Sequence, residues 1–249
     1  MARREPRPVS DPPSSDPPRD SASVVLLRDA GDGPEVFLLR RSGDSTVLGN
    51  VHVFAGGKVD PEDHDGWPDA PEGLGEWLGE PELDPRRARA LVVAACRETR
   101  EETGVVLTPA ELVPLSRWIT PERPALMKRR FDTRFFLARL PAGATASHDG
   151  QEADQSVWLT PKRALAAYYD DAIHLAPPQI MTLMTLASEP SVEAMLGRYR
   201  GKKPPLVEPM PFEVNGRRAV AYPGDPLHPV RERAMPGPTR LTLVNGRFR

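Results

Sequence analysis

The chain has 249 residues, of which 39% are apolar, which is enough for one ordinary hydrophobic core and excludes a fully disordered protein. Its 33 basic and 35 acidic residues leave a formal charge of −2, so no global positive field favours nucleic acid. Cys96 is the single cysteine, which excludes an internal disulfide. No apolar run approaches the ~20 residues that span a bilayer, and no signal peptide follows Met1. We therefore expect a cytoplasmic protein without membrane or nucleic-acid partners.

Composition divides the chain into three parts. Residues 1–20 hold six prolines and no aromatic residue, and this predicts a disordered leader. Residues 21–200 carry the strand and helix patterns of one folded domain. Residues 201–249 hold nine prolines, together with two Asn-Gly pairs that indicate hairpin turns. We expect this proline-rich extension to pack on the domain.

The domain begins with short strand patterns. Residues 23–28 and 36–41 flank a segment rich in Gly, Asp and Pro, which predicts a β-hairpin. A third strand, residues 51–54, leads directly into Gly56 and Gly57, where the backbone can approach a neighbour closely. Later strand patterns and helical patterns in 178–200, with a break near 189–190, complete an α/β or α+β domain.

Residues 61–85 contain nine acidic side chains and neither Lys nor Arg. Such a long acidic stretch between ordered elements predicts an inserted surface loop, which is either a solvated excursion or a mobile lid. We expect Trp67 and Trp77 to lie outside the core, so that removal of the insertion would spare the fold.

Asp84 and Pro85 carry the signals of a helix start, and Gly104 those of a helix end, so residues 85–103 are predicted to be helical. In this helix Glu98, Glu101 and Glu102 fall at positions i, i+3 and i+4 and share one face. Like charges at this spacing repel each other, and the helix dipole disfavours anions near the C-terminus.

The three glutamates therefore allow two interpretations. They form either a solvated face partly neutralised by Arg97 and Arg100, or a site for a divalent cation such as Mg²⁺ or Mn²⁺, which prefers oxygen ligands and substrate phosphates. The segment from Arg97 to Val105 reads RETREETGV. A string of this kind arises by chance in on the order of one in a few thousand such chains at average composition, and this favours the metal site.

This string resembles the second half of the Nudix box, the consensus G-x5-E-x7-R-E-U-x-E-E-x-G-U, in which U is aliphatic, of hydrolases that cleave a diphosphate linked to another moiety. Thr99 stands at the first U, and Gly57 supplies the opening glycine. Gly57 precedes Arg97 by 40 residues where the compact box has 14, so the acidic insertion splits the box. The isolated Glu is also missing. Counting back from Arg97 reaches Arg89, and counting forward from Gly57 reaches Asp63.

The split box is similar to the branch of the family that contains acyl-coenzyme A diphosphatases. Three segments carry the likeness, namely LLRRS at 38–42, GNVHVFAGG at 49–57 and RFDTRFF at 130–136. Ala55 stands where this branch usually has a proline. The resemblance implies a mixed β-sheet between helices, with extra C-terminal helices and the proline-rich tail.

The resemblance also implies roles for individual residues. The metal ions would be bound by Glu98, Glu101 and Glu102 and by a backbone carbonyl of Gly56 or Gly57. Arg97 would orient the carboxylates, and Glu102 or Glu152 would accept the proton of the attacking water. The cations expected at the diphosphate are Arg40, Arg41, Lys58 and Arg130, each of which is alternatively a plain surface cation.

The sequence thus predicts a Nudix-type diphosphatase that uses Mg²⁺ or Mn²⁺ and acts on a small-molecule diphosphate, with coenzyme A or its acyl esters as first choice. ADP-ribose and nucleotide sugars are the alternative substrates. The alternative class is a binding module that keeps the fold without turnover, because the isolated Glu is missing. A homodimer is compatible with the sequence.

Overall fold

The computed structural model describes residues 7–8, 16–43, 49–122 and 129–249. Most of the predicted disordered leader therefore lies outside the described residues. The short strand β1 (Arg7–Pro8) pairs with a C-terminal strand near Phe212 and Glu213. The next strand, β2, begins at Arg19, so the last two residues of the predicted leader belong to the main sheet.

The main sheet has eight strands within the described residues. Their bounds are β2 (Arg19–Ala30), β3 (Gly33–Arg41), β4 (His52–Val53), β5 (Ala55–Lys58), β6 (Val113–Ile119), β7 (Phe131–Arg139), β8 (Ala153–Leu159) and β9 (Leu206–Val207). The order along the sheet is β4-β3-β2-β7-β6-β9, while β5 also pairs with β2 and β8 with β3. β2 and β7 run parallel, whereas β2 and β3 form the predicted antiparallel hairpin.

The long helix occupies the predicted residues. A 3-10 turn (Pro61–Asp65) and the short helix α1 (Leu74–Trp77) precede it, and α2 runs from Pro85 to Thr103. The Asp84 side chain accepts the backbone N–H of Arg87 at 2.9 Å, and Gly104 ends the helix with a φ of 72°. Both terminal signals act locally, so the sequence was sufficient to place them.

The sheet lies between two layers of helices, as predicted. Val24 and Leu26 face α2, whereas the alternate residues Val25 and Leu27 face the C-terminal helices. Those helices are α3 (Pro161–Tyr169), α4 (Pro177–Leu186) and α5 (Val192–Tyr199), and a second 3-10 turn spans Pro109–Glu111. The mixed α/β architecture with extra C-terminal helices is therefore confirmed.

The C-terminal extension contributes a second sheet. Its strands are β10 (Met210–Val214), β11 (Arg217–Ala221), β12 (Arg240–Val244) and β13 (Arg247–Phe248). The Asn215 and Asn245 turns have positive φ values of 51°, as the Asn-Gly pairs predicted. Phe248 is 5% exposed and belongs to the same core cluster as Val25. The backbone N–H of Phe248 donates to the Tyr168 hydroxyl at 2.8 Å.

The acidic insertion differs from the predicted loop. Leu78 is only 2% exposed, and the ring centroid of Trp77 lies 5.9 Å from that of Phe136. Glu80 accepts two hydrogen bonds from Arg134, whose side chain is 3% exposed. The prediction of a solvated excursion was wrong for these residues, because apolar and ion-paired contacts distant in sequence fix them against α2 and the sheet.

We therefore expect Leu78→Ala to lower the free energy of unfolding by about 2 kcal/mol or more, since truncation of a buried leucine leaves a cavity. Leu206→Ala is the matched control, because Leu206 is 46% exposed. Urea unfolding of both variants measures the difference. Equal, small losses would restore the interpretation of the insertion as a dispensable loop.

Candidate active site

The Gly56-Gly57 turn at β5 lies directly against the C-terminal part of α2. The backbone N–H of Gly56 donates to a carboxylate oxygen of Glu102 at 2.8 Å. A Cβ atom on Gly57 would lie 2.5 Å from a Glu98 carboxylate oxygen, and one on Gly56 would lie 2.3 Å from the Ala22 carbonyl oxygen. Only residues without side chains permit this approach. The structure therefore brings Gly56, Gly57, Glu98 and Glu102 together, as the sequence predicted.

Burial makes the negative charge of Glu102 unfavourable. Glu102 is 6% exposed, and this burial raises its pKa from 4.5 to about 8 despite the hydrogen bond from Gly56. Burial also raises the pKa of Glu98, although Arg97 opposes the shift. Repulsion between the two carboxylates acts in the same direction at Glu102, as does the charge of Glu152. Positive charge placed beside them would relieve this cost.

Arg97 connects the carboxylates. Its guanidinium donates to Glu98 and Glu101 at 2.9 Å each, and to both carboxylate oxygens of Asp63 at 2.8 Å. It also donates to the Lys58 carbonyl at 3.1 Å. Glu101 remains about half exposed in this arrangement. Arg97 thus joins Glu98, Glu101 and Asp63 through charge-assisted hydrogen bonds.

Asp63 is the residue whose role sequence reasoning missed. It is 2% exposed, pairs with Arg97 through both oxygens, and accepts the backbone N–H of Asp60 at 2.8 Å. Counting forward from Gly57 reaches this position, so the spacing held the signal. Asp63 thus stands at the spacing of the isolated Glu of the box, six residues after Gly57, and pairs with Arg97, whereas Arg89 plays no part in this pairing.

The side chains suit a divalent cation in their chemistry. Among the described residues no three Asp, Glu, His or Cys side chains converge in a metal-holding arrangement, because Glu101 is turned towards Arg97 and Glu102 towards Gly56. Glu98 and Glu102 nevertheless provide partly desolvated carboxylate oxygens beside the backbone of the glycine turn. Hard oxygen donors of this kind are what Mg²⁺ and Mn²⁺ prefer.

A cleft of about 420 Å³ opens beside these carboxylates. Glu98, Glu152, Arg41 and Lys58 line it, together with the glycine turn. Arg41 approaches Glu152 to 4.0 Å, and Lys58 forms an ion pair with Asp60. The structure thus brings four of the predicted side chains to the same cleft.

Two predicted substrate cations do not reach the cleft. Arg40 points instead to Asp154, with two hydrogen bonds of 2.7 and 2.8 Å. Arg130 donates to the Thr120 carbonyl at 3.0 Å. Arg19 and Arg129 line the cleft instead. The sequence around Arg19 and Arg129 did not predict this position, because the cleft is assembled from elements that are distant in sequence.

The chain resembles known proteins in both sequence and structure. A model of the NUDT19 Nudix domain matches residues 110–186, a range that begins after the glutamate motif. Acyl-coenzyme A diphosphatase NUDT19 of Xenopus laevis is 32% identical over 116 residues, which cover 46% of this chain but only 28% of that protein. The Gallus gallus protein of the same name is 27% identical over 257 residues, which cover 68% of each chain.

The fold has a solved counterpart. The crystal structure of a NUDIX hydrolase from Alicyclobacillus acidocaldarius superposes with a TM-score of 0.61 and 22% identity, covering 75% of this chain and 99% of that one. The superposition shows that the chain shares the fold of that hydrolase. The domain match and the related sequences support a Nudix hydrolase that resembles the acyl-coenzyme A diphosphatases.

The contact between Gly57 and Glu98 provides a sharp test of the site. We expect Gly57→Ala to displace the Glu98 carboxylate, whose flexible end yields easily, and so to lower turnover by about tenfold or more as positioned groups do. Stability should change little. Gly31→Ala is the control, because nothing lies within 4 Å of a Cβ there. Measured kcat and thermal unfolding together decide, and unchanged kcat would place the Glu98 carboxylate outside the chemistry.

Proposed function

We propose that this protein hydrolyses the diphosphate linkage of a nucleoside diphosphate joined to another moiety, with Mg²⁺ or Mn²⁺ as cofactor. The contact of the Gly56-Gly57 turn with Glu98 and Glu102, at the end of a cleft that also holds Arg41 and Lys58, is the observation that carries the proposal. This arrangement offers carboxylates for a cation and cations for phosphate oxygens within one site.

Glu98, Glu101 and Glu102 would hold the metal, together with a carbonyl oxygen of Gly56 or Gly57. When bound, a divalent ion withdraws charge from the phosphates and lowers the pKa of a water. Arg97 keeps the glutamates in place. Arg41 and Lys58 would neutralise phosphate oxygens, since both line the cleft.

Glu152 is our choice for the group that accepts the proton of the attacking water. It lines the cleft with a side chain that is 65% exposed, whereas Glu102 is buried and engaged with Gly56. We expect Glu152→Gln to lower kcat by about 10²-fold without raising the Mg²⁺ concentration needed for half-maximal rate. Glu98→Gln should raise that concentration. Similar Mg²⁺ titrations of the two variants would contradict this division of roles.

Coenzyme A and its acyl esters are the substrates we propose first. The split box and the similarity to proteins named acyl-coenzyme A diphosphatase support this choice. ADP-ribose and nucleotide sugars are the alternative substrates, because contacts to the diphosphate alone discriminate poorly between the moieties attached to it.

We further propose action in the cytoplasm on small molecules, which the single cysteine supports. Within the described residues no helix is long and apolar enough to span a membrane. The homodimer stays a prediction.

The test is the rate of hydrolysis of coenzyme A, octanoyl-coenzyme A, ADP-ribose and a nucleotide sugar, measured with Mg²⁺, with Mn²⁺ and with EDTA. We expect metal-dependent hydrolysis with the highest kcat/KM for coenzyme A or its ester. Saturable binding of these compounds without product would identify a binding module instead. A kcat/KM for both coenzyme A compounds at least tenfold below a competitor's would overturn the substrate choice but not the reaction.

A further inference from the structure

The cleft that holds the carboxylates is also lined by apolar side chains from two parts of the chain. Trp118, Phe131 and Phe135 come from the main sheet. Pro211, Val220 and Phe248 come from the C-terminal extension and face the same space. Val220 is 8% exposed and pairs across β10 and β11 with Pro211. The C-terminal extension therefore builds part of the cleft itself.

The hydroxyl groups along this cleft each have a hydrogen-bond partner within the protein. The Ser21 and Thr133 hydroxyl oxygens lie 2.6 Å apart, and the Ser23 hydroxyl donates to the Ala55 carbonyl at 3.0 Å. The Thr120 hydroxyl oxygen accepts the backbone N–H of Phe131 at 3.1 Å. Apolar atoms make up most of the surface that lines the cleft. Such a surface favours an apolar chain, whereas a sugar with several hydroxyls would lose water without gaining as many partners.

Gln179 adds one polar feature. It lines the cleft near the start of α4, is 7% exposed, and its carboxamide oxygen has no hydrogen-bond partner among the described residues. Rotation of the terminal amide would offer one acceptor to a donor group of a ligand. A carboxamide beside apolar side chains suits a chain that carries an isolated amide or hydroxyl.

We infer that Pro211, Val220 and Phe248 determine specificity by contacting an apolar chain carried by the group that is attached to the diphosphate of the substrate. This inference rests on the proposed function for the reacting end of the cleft. The occupant is a long apolar moiety such as a fatty acyl chain and not a second sugar or base. Residues 201–249 are then an integral wall of the active site.

The decisive variant is Val220→Phe, which places a larger apolar side chain in the cleft, with Val230→Phe as its matched control. Val230 belongs to the same extension, is 50% exposed and does not line the cleft. The experiment measures kcat/KM for coenzyme A, acetyl-coenzyme A and octanoyl-coenzyme A. Wild type should prefer the octanoyl ester over coenzyme A by about tenfold, the lower range for small apolar differences in a pocket. Val220→Phe should abolish this preference, whereas Val230→Phe should keep it.

Val220→Ala tests the same inference in case the larger side chain of Val220→Phe prevents folding. It widens the cleft, so it should raise kcat/KM for dodecanoyl-coenzyme A relative to octanoyl-coenzyme A by a few-fold. An unchanged octanoyl preference in Val220→Phe, or the same loss in Val230→Phe, would overturn the inference, as would a wild type without any acyl preference.

Binding separates this inference from the proposed reaction. Titration calorimetry in EDTA measures the Kd of octanoyl-coenzyme A and coenzyme A without turnover. Wild type could cleave no diphosphate and still bind octanoyl-coenzyme A about tenfold more tightly than coenzyme A. If Val220→Phe then loses that difference, the role of Pro211, Val220 and Phe248 is supported and the proposed reaction is wrong. Equal Kd values for both compounds in wild type would refute the wall.

Discussion

We expect Glu102→Gln to lower turnover by about 10²-fold or more, in the range for a group that stabilises charge or moves a proton. Gln is isosteric and can still accept the backbone N–H of Gly56, so the glycine turn should stay in place. The variant loses the negative charge that would bind a divalent cation. Glu193→Gln is the control, because Glu193 is exposed on α5.

The same variant has a second signature in its stability. The folded-state pKa of Glu102 is raised from 4.5 to about 8, so protonated Glu102 stabilises the fold below pH 4.5. That stabilisation is lost as the pH rises through 8, at a cost on the order of a few kcal/mol. Glu102→Gln cannot ionise, so in EDTA it should match wild type near pH 4.5 and be more stable at pH 8.

Thermal unfolding in EDTA between pH 4.5 and 8.5 measures this difference, and kcat with saturating Mg²⁺ measures the loss of turnover. Normal kcat in Glu102→Gln would remove Glu102 from the metal site. A Tm lower than that of wild type at pH 8 would show that the carboxylate stabilises the free protein, contrary to its burial.

The sequence was sufficient wherever the signal was local. The cap at Asp84 and the stop at Gly104 act within one turn of α2, and the helical repeat alone places Glu98, Glu101 and Glu102 on one face. The first hairpin follows from its turn residues in the same way. These features need no knowledge of what the elements pack against.

Contacts across long separations were the ones that sequence reasoning missed. The acidity of residues 61–85 indicated solvent, yet Glu80 is paired with Arg134, 54 positions away. Arg40 and Arg130 looked as suitable for phosphate as Arg41 did, because composition does not show which strand face meets a cleft. Only the assembled sheet separates Arg41, which lines the cleft, from Arg40, which binds Asp154.

Asp63 lies between these cases and leads to the second large effect that we expect. Its position was countable from Gly57, but its partner Arg97 is 34 residues away. Asp63→Asn keeps the size and an acceptor for Asp60, but it removes a buried charge from two hydrogen bonds to Arg97. We expect a loss of about 3 kcal/mol in the free energy of unfolding, typical of breaking a buried ion pair.

Activity should fall as well, by about tenfold per folded molecule. Without its hydrogen bonds to the Asp63 carboxylate, Arg97 would no longer fix the positions of Glu98 and Glu101. Asp65→Asn is the matched control in the same 3-10 turn, since Asp65 is 77% exposed where it pairs with Arg86. That variant should change stability by less than about 0.5 kcal/mol. Urea unfolding and the Mg²⁺ dependence of kcat decide the matter. If Asp63→Asn behaved like Asp65→Asn in both measurements, Asp63 would not serve as the isolated acidic residue of the box.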